Sequence, residues 1–174
     1  MAPNHISYSD PPTVGAAVGR RVRFMAKWEL FQIPVLGPII RHVGAFPVKQ
    51  ATADRAALKR AMELLSTGEV VCIFPEGTRN LTGELLKAEL GMGLIALKSR
   101  APVVPIALVG TNDLLPAHSA FLKFSRVRVL IGEPVPLDDL YERSSEREAL
   151  EEVGVRVMAA IADLKDQAVE AERA

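Results

Sequence analysis

A single cysteine, Cys72, stands among 174 residues. No internal disulfide can form, and its place in an apolar run marks it as a small buried core residue of a reducing compartment. Aromatic residues are scarce, at 5% of the chain, and the basic residues are not interleaved with them. That excludes a base-stacking surface, so no nucleic-acid partner is expected. Net charge is absent too, since 21 basic residues balance 21 acidic ones. No stretch reaches the ~18 uninterrupted apolar residues of a membrane-spanning helix; the candidate near the front, Leu30 to Ile40, is broken by Pro34, Gly37 and Pro38. No basic region precedes an apolar core at the start, so an intracellular chain is expected, soluble or held to a membrane from one side. A Gly-x-Ser-x-Gly run is missing, which argues against an α/β-hydrolase, and Ser66, Ser119 and Ser144 lie in no other nucleophile pattern. His42 and His118 lack carboxylate or cysteine partners at ligand spacing, so no metal site is expected.

What the chain does contain is ordinary globular composition, 49% hydrophobic and 24% charged, over about one domain's length. Its charge is unevenly spread: residues 1–50 carry +4, residues 51–137 carry +2 and residues 138–174 carry −6. A basic front suits an anionic substrate or an anionic membrane surface, and the acidic tail reads as a solvated helix face.

Strand-like and helical segments alternate. Residues 22–26 alternate polar and apolar as a strand, and Phe46 to Val48 form a shorter one. From Ala53 to Ser66, Leu58, Ala61, Met62 and Leu65 recur at helical spacing, with Thr52 or Asp54 able to cap the start. Thr67-Gly68 ends that helix. Glu69 to Phe74, Val103 to Val109 and Val127 to Ile131 are apolar runs of the kind buried on both faces of a sheet. Leu85 to Lys98 reads as a helix interrupted at Gly91 and Gly93. A last helix opens at a capping box of Ser145 and Glu148, with Val153, Val157, Ile161 and Leu164 on one face. The stretch from Thr111 to Phe124 is the longest loop and can fold over a site. Such alternation predicts an α/β fold with a mixed, largely parallel sheet flanked by helices.

Two clusters carry chemistry. In Asn4-His5-Ile6-Ser7-Tyr8-Ser9-Asp10, five helical steps would leave His5 and Asp10 roughly 140° apart. In a turn leading into a helix that opens at Pro11-Pro12, the carboxylate can instead fold back onto the imidazole. It would fix the tautomer and free the other ring nitrogen to take a proton from a hydroxyl. The plainer alternative is that Asp10 caps a helix and His5 is merely exposed. The second cluster, Phe74-Pro75-Glu76-Gly77-Thr78-Arg79, follows a strand, where ligands bind in α/β folds. It offers a glycine for close approach, a hydroxyl, a carboxylate and a guanidinium fork that matches phosphate oxygens. Its plainer alternative is a surface turn in which Glu76 and Arg79 pair.

Taken together, these blocks resemble the lysophosphatidic-acid acyltransferases, the 1-acylglycerol-3-phosphate O-acyltransferase family within the glycerolipid acyltransferase superfamily. The first cluster is similar to its Asn-His-x-x-x-x-Asp block and the second to its Phe-Pro-Glu-Gly-Thr-Arg block. Between and after them, Gly44 to Lys49 and Val103 to Ile106 are similar to the family's second and fourth blocks. The resemblance implies acyl transfer from an acyl thioester to the free hydroxyl of lysophosphatidic acid, giving phosphatidic acid. It implies His5 as general base oriented by Asp10, and Glu76, Gly77 and Thr78 shaping the acceptor pocket. Arg79 and Lys49 would hold the acceptor phosphate, and Thr78 or nearby amides would steady the oxyanion. No cofactor or metal is implied; the co-substrate is acyl-CoA or acyl-acyl carrier protein. Another lysolipid or aminolipid acceptor, or an inactive domain that still binds lipid or phosphate, are the rival readings.

Three departures accompany the resemblance. Gln50 follows Lys49 where an arginine is common, and Asn80 replaces a serine after Arg79. The chain also begins four residues before His5, where the family usually runs a strand and often membrane-associating helices. A 1–174 acyltransferase domain lacking that strand and any membrane helix is therefore expected, with an exposed sheet edge near the site. Membrane contact would then fall to the basic and apolar stretch from Arg20 to Leu36, which includes Arg21, Arg23, Lys27, Trp28 and Phe31, unless those apolar residues pack in the core. A peripheral position on the cytoplasmic face of the cell membrane follows from that reading.

Overall fold

The computed structural model describes residues 1–49, 54–116, 121 and 123–173. Gln50, Thr52, His118 and Ser119 lie outside the described residues. Two three-stranded halves make the sheet. In one, β2 (Val22–Lys27) runs parallel to both β3 (Phe46–Val48) and β4 (Val70–Cys72). In the other, β5 (Pro105–Val109) pairs in parallel with β1 (Ala2–Pro3) and antiparallel with β6 (Arg128–Ile131). Met1 joins them, since its nitrogen donates to the Val71 carbonyl at 2.8 Å and its carbonyl accepts the Ile73 N–H at 3.0 Å. The arrangement is a mixed, largely parallel sheet flanked by helices. Where no strand was anticipated ahead of His5, the two residues of β1 sit at the centre of the sheet rather than leaving an edge there.

Helix α1 (Asp10–Val18) covers one face, burying Val14 with Val22, Cys72, Ile106 and Leu108. Cys72 is fully buried, and loss of solvation pushes its thiol up to about 12. On the other face, α3 (Arg55–Ser66) and α4 (Leu90–Ser99) bury Ala61, Leu64 and Ile95 against Phe46 and Val71. Helix α6 (Arg147–Arg173) closes that layer through Val153, Val157 and Ile161, each 0% exposed. Each such side chain contributes on the order of 1.5–3 kcal/mol.

Boundaries depart from the sequence reading where main-chain hydrogen bonds are needed elsewhere. Helix α3 is capped by Asp54, which accepts the N–H groups of Ala56 and Ala57 at 3.1 Å. Helix α4 starts at Leu90 rather than Leu85, because the N–H groups of Leu86 and Glu89 turn to Glu76 and to the Pro75 carbonyl. Gly91 and Gly93 do not interrupt it. Gly93 instead admits the backbone of α6, as a Cβ there would stand 2.5 Å from the Leu150 carbonyl oxygen. Helix α6 opens at Arg147, two residues beyond the expected Ser145 cap.

The stretch from Arg20 to Leu36 does not form one surface. Arg23 pairs with Glu69 at 2.8 Å and Arg20 donates to the Gly68 carbonyl, at the start of β2. Trp28 lies past the far end of that strand, about 20 Å away at 3.3 Å per residue. Phe31 is buried, whereas Trp28, Ile33 and Val35, ahead of helix α2 (Leu36–His42), are exposed. The patch is therefore divided between core and surface. No described helix is long and apolar enough to cross a membrane.

Candidate active site

Four parallel strands, β1 to β4, end on the same edge of the sheet, and the singled-out residues follow them there. His5 and Asp10 meet in the turn between β1 and α1. The His5 Nδ1 lies 2.8 Å from Asp10 Oδ2, and the same oxygen accepts the N–H groups of Ile6 at 2.7 Å and Ser7 at 2.8 Å. An oxygen collecting two main-chain donors is an acceptor toward the ring as well, so the contact favours a hydrogen on Nδ1 and turns Nε2 away from Asp10. Asp10 is fully buried at the first position of α1, with Pro11 and Pro12 in the first turn, where their missing N–H groups cost nothing. Of the two sequence alternatives for this cluster, the fold-back arrangement is the one present.

The turn carrying these residues is held by groups that the sequence did not single out. The Asn4 side chain takes the place of a strand residue, donating from Nδ2 to the Leu108 carbonyl at 3.1 Å and accepting the Leu108 N–H at 2.7 Å. Ser7 Oγ donates to the Leu115 carbonyl at 3.0 Å, and Ser9 Oγ reaches both Ser7 Oγ and the Thr111 carbonyl. Through these bonds the four-residue helix α5 (Thr111–Leu114) and Leu115 pack on the His5 turn. The imidazole also stacks on Phe74, with centroids 4.0 Å apart. A polar residue at Asn4, Ser7 and Ser9 is visible in the sequence, but its partner is a main-chain carbonyl with no sequence signature.

Glu76 and His5 are brought together, though through the main chain. Glu76 is 3% exposed; its Oε1 accepts the His5 N–H at 2.9 Å and its Oε2 the Leu86 N–H at 3.1 Å. Burial pushes its carboxyl above the ordinary value, against the opposing pull of those two N–H groups. Glu76 and Arg79 do not pair, so the plain surface turn is not what forms. Gly77 adopts φ 65°, and a Cβ there would lie 2.9 Å from Glu89 Cγ, so the turn requires glycine. Thr78 is exposed. The Arg79 guanidinium carbon sits 3.3 Å from the Tyr8 ring centroid. Asn80 donates its N–H to the His5 carbonyl at 2.8 Å.

Lys49 follows β3 on the same edge, its ammonium 5.7 Å from the Trp28 ring centroid. Its N–H donates to Asp54 at 2.9 Å, and that bond above all holds the Asp54 carboxyl below its usual range. Among the described residues no group of three His, Cys, Asp or Glu is placed to hold a metal ion. The edge thus presents a carboxylate-backed imidazole together with two cations, Arg79 and Lys49, that each face an aromatic ring.

A family model described as Acyltransferase matches residues 1–109. A chloroplastic 1-acyl-sn-glycerol-3-phosphate acyltransferase of Brassica napus is 38% identical over 135 residues, 76% of this chain and 39% of that protein. The 1-acyl-sn-glycerol-3-phosphate acyltransferase of Bacillus subtilis is 33% identical over 136 residues, 78% of this chain and 65% of that protein. The crystal structure of the 1-acyl-sn-glycerophosphate acyltransferase PlsC from Thermotoga maritima superposes with a TM-score of 0.66 at 31% identity, over 87% of this chain and 64% of that one. The chain therefore spans about two fifths of the plant relative and just under two thirds of the two bacterial ones.

Proposed function

The chain belongs to the acyltransferase family, and from that premise we propose that it acylates the free hydroxyl of lysophosphatidic acid from an acyl thioester, giving phosphatidic acid. The observation that carries the reading is the 2.8 Å contact between His5 Nδ1 and the fully buried Asp10, with the imidazole itself 16% exposed. Nε2 takes the hydroxyl proton as the acceptor oxygen bonds to the thioester carbonyl carbon. The C–S bond then breaks, and the leaving thiolate recovers that proton from the imidazolium. Asp10 stabilises the transient positive charge without itself taking the proton. Arg79 and Lys49 hold the acceptor phosphate by charge-assisted hydrogen bonds. Glu76 and Gly77 build the turn that carries Arg79, and Thr78, exposed beside it, steadies the oxyanion. The donor is acyl-CoA or acyl-acyl carrier protein.

The acceptor's tail stays in lipid, so this edge of the sheet has to face a bilayer. Four of the nine aromatic residues are exposed, Tyr8, Trp28, Phe121 and Phe124. All four follow strand ends on the edge that carries His5, and Lys27, Lys49, Arg79 and Lys123 share it. Rings with cations beside them suit contact with an anionic cytoplasmic leaflet from one side.

Release of free thiol from an acyl thioester, with lysophosphatidic acid, an amino-lysolipid or monoacylglycerol as acceptor, tests the reading. Thiol release that depends on lysophosphatidic acid and disappears in His5→Ala is the expected result. Release favouring the amino-lysolipid would move the acceptor to that class. Lipid binding with no thiol release under any acceptor would make the chain a binding domain.

A further inference from the structure

We propose that Tyr8 is a specificity-determining positioning residue whose ring holds the Arg79 guanidinium in place for the acceptor phosphate. The inference rests on the acyl-transfer reading above and adds to it a residue that neither the block resemblance nor the comparisons single out. Tyr8 lies inside the turn between His5 and Asp10 and is 59% exposed. Arg79 lies over its face, 3.3 Å from the ring centroid, and among the described residues makes no ion pair with a carboxylate.

The chemistry of the stack explains why a ring serves here better than an acid. A carboxylate partner would occupy the same N–H fork that a phosphate needs. A ring attracts the guanidinium through its face, which leaves the donors in the guanidinium plane free for an incoming anion. The long side chain is thereby ordered before the acceptor arrives, so less rotamer freedom is lost on binding. Lys49 stands over exposed Trp28 in the same manner at 5.7 Å.

Tyr8 also ties the cation to the base. Its turn is fixed by Asp10 Oδ2, which takes the N–H groups of Ile6 and Ser7, and by the Ser7 and Ser9 hydroxyl bonds. The same Asp10 oxygen aims the His5 ring. The Tyr8–Arg79 stack thereby ties the turn that carries Arg79 to the turn that carries His5, and selection for a phosphate-bearing acceptor follows from it.

The test measures kcat and KM for lysophosphatidic acid and for monoacylglycerol in the parent chain, Tyr8→Ala, Tyr8→Phe, Arg79→Ala and the Tyr8→Ala/Arg79→Ala double variant. Loss of a cation–π contact should raise the lysophosphatidic-acid KM of Tyr8→Ala roughly 2- to 30-fold, with little change in kcat. Tyr8→Phe, which keeps the ring, should restore the parent KM, and monoacylglycerol should be unaffected. The double variant should be no worse than Arg79→Ala alone. An unchanged or lowered KM in Tyr8→Ala, an equal rise for monoacylglycerol, or additive effects in the double variant would overturn the proposal. A parallel titration of each protein with inorganic phosphate by calorimetry needs no turnover. An inactive parent would defeat the acyl-transfer reading, while phosphate binding equal in the parent and Tyr8→Ala, or absent from the parent, would defeat this one.

Discussion

The buried carboxylate of Glu76 accepts the main-chain N–H of His5 at 2.9 Å. Its second oxygen accepts the Leu86 N–H, so one side chain ties the His5 turn, the Glu76 turn and the extended lead into α4 together. The family resemblance suggests a wall of the acceptor pocket. Its observed contacts are those of a brace that sets where the His5 backbone lies.

A pH dependence follows from that burial. Burial raises the Glu76 carboxyl above its ordinary value of 4.5, so the folded state holds that proton more tightly than the unfolded chain does. The group's contribution is then most favourable below the ordinary value and is lost as pH rises through it to the raised folded value. Glu76→Gln removes this titration and replaces one carboxyl oxygen by an NH2 donor. Its stability relative to the parent, by urea unfolding, should improve as pH rises above the ordinary carboxyl value of 4.5. A gap that stays constant or widens against the variant would show that the carboxyl is not raised.

His5→Ala should leave the fold intact and remove most of the transfer. The His5 N–H and carbonyl keep their bonds to Glu76 and Asn80; what is lost is the ring's stacking on Phe74 and its contact with Asp10, whose Oδ2 keeps the Ile6 and Ser7 N–H groups. General-base catalysis supplies about 10²–10⁴-fold in rate. Activity above about a tenth of the parent in a folded variant would rule out His5 as the base, since that lies outside the same range.

Asp10 should separate the two consequences that His5 does not. Asp10→Ala strands the buried N–H groups of Ile6 and Ser7 along with the imidazole, at about 1–3 kcal/mol for each unsatisfied donor. Asp10→Asn keeps an oxygen for those donors but offers the ring a weaker acceptor. Unfolding midpoints should therefore drop markedly for the alanine variant and little for the asparagine one, while thiol release falls in both. Equal destabilisation of the two would place the value of Asp10 in its charge alone.

Much of this site was legible because its signals are side chains at fixed spacing. The five-residue step from His5 to Asp10, with Pro11-Pro12 behind it, describes a turn opening a helix. Strand β3 at Phe46–Val48 and the Asp54 cap were legible for the same local reason. The bonds of Glu76 and Asn4 were not, because their partners are main-chain groups brought from 71 and 104 residues away. Two residues of β1 are too few to show alternation. The continuity of Arg20 to Leu36 misled because a six-residue strand carries its ends to opposite edges of the sheet.

Asn4 offers a test of that hidden part. Its amide is 0% exposed and satisfies both the N–H and the carbonyl of Leu108. Asn4→Ala leaves both groups unpaired in the core, so a loss of about 2–4 kcal/mol should appear in denaturant unfolding. Asn4→Asp keeps the acceptor for the Leu108 N–H but places a carboxylate oxygen against the Leu108 carbonyl, and should fare no better. A change under about 0.5 kcal/mol in Asn4→Ala, the ordinary range for surface sites, would mean that water replaces the amide.

The residues proposed for membrane contact divide along β2 in the same way. If the His5 edge faces lipid, Trp28→Ser with Ile33→Ser should weaken flotation with anionic vesicles, since both side chains are exposed beyond the end of that strand. Lys27→Gln with Lys123→Gln should reduce binding at low salt by about 1 kcal/mol per charge, or roughly 30-fold together. That difference should fade as added salt shortens the Debye length to about 8 Å near physiological ionic strength. Arg20→Gln with Arg21→Gln should bind as the parent does, because those residues lie about 20 Å away at the start of the strand. The opposite ranking, with the Arg20 and Arg21 pair dominant, would turn the molecule over on the bilayer and point His5 away from its acceptor.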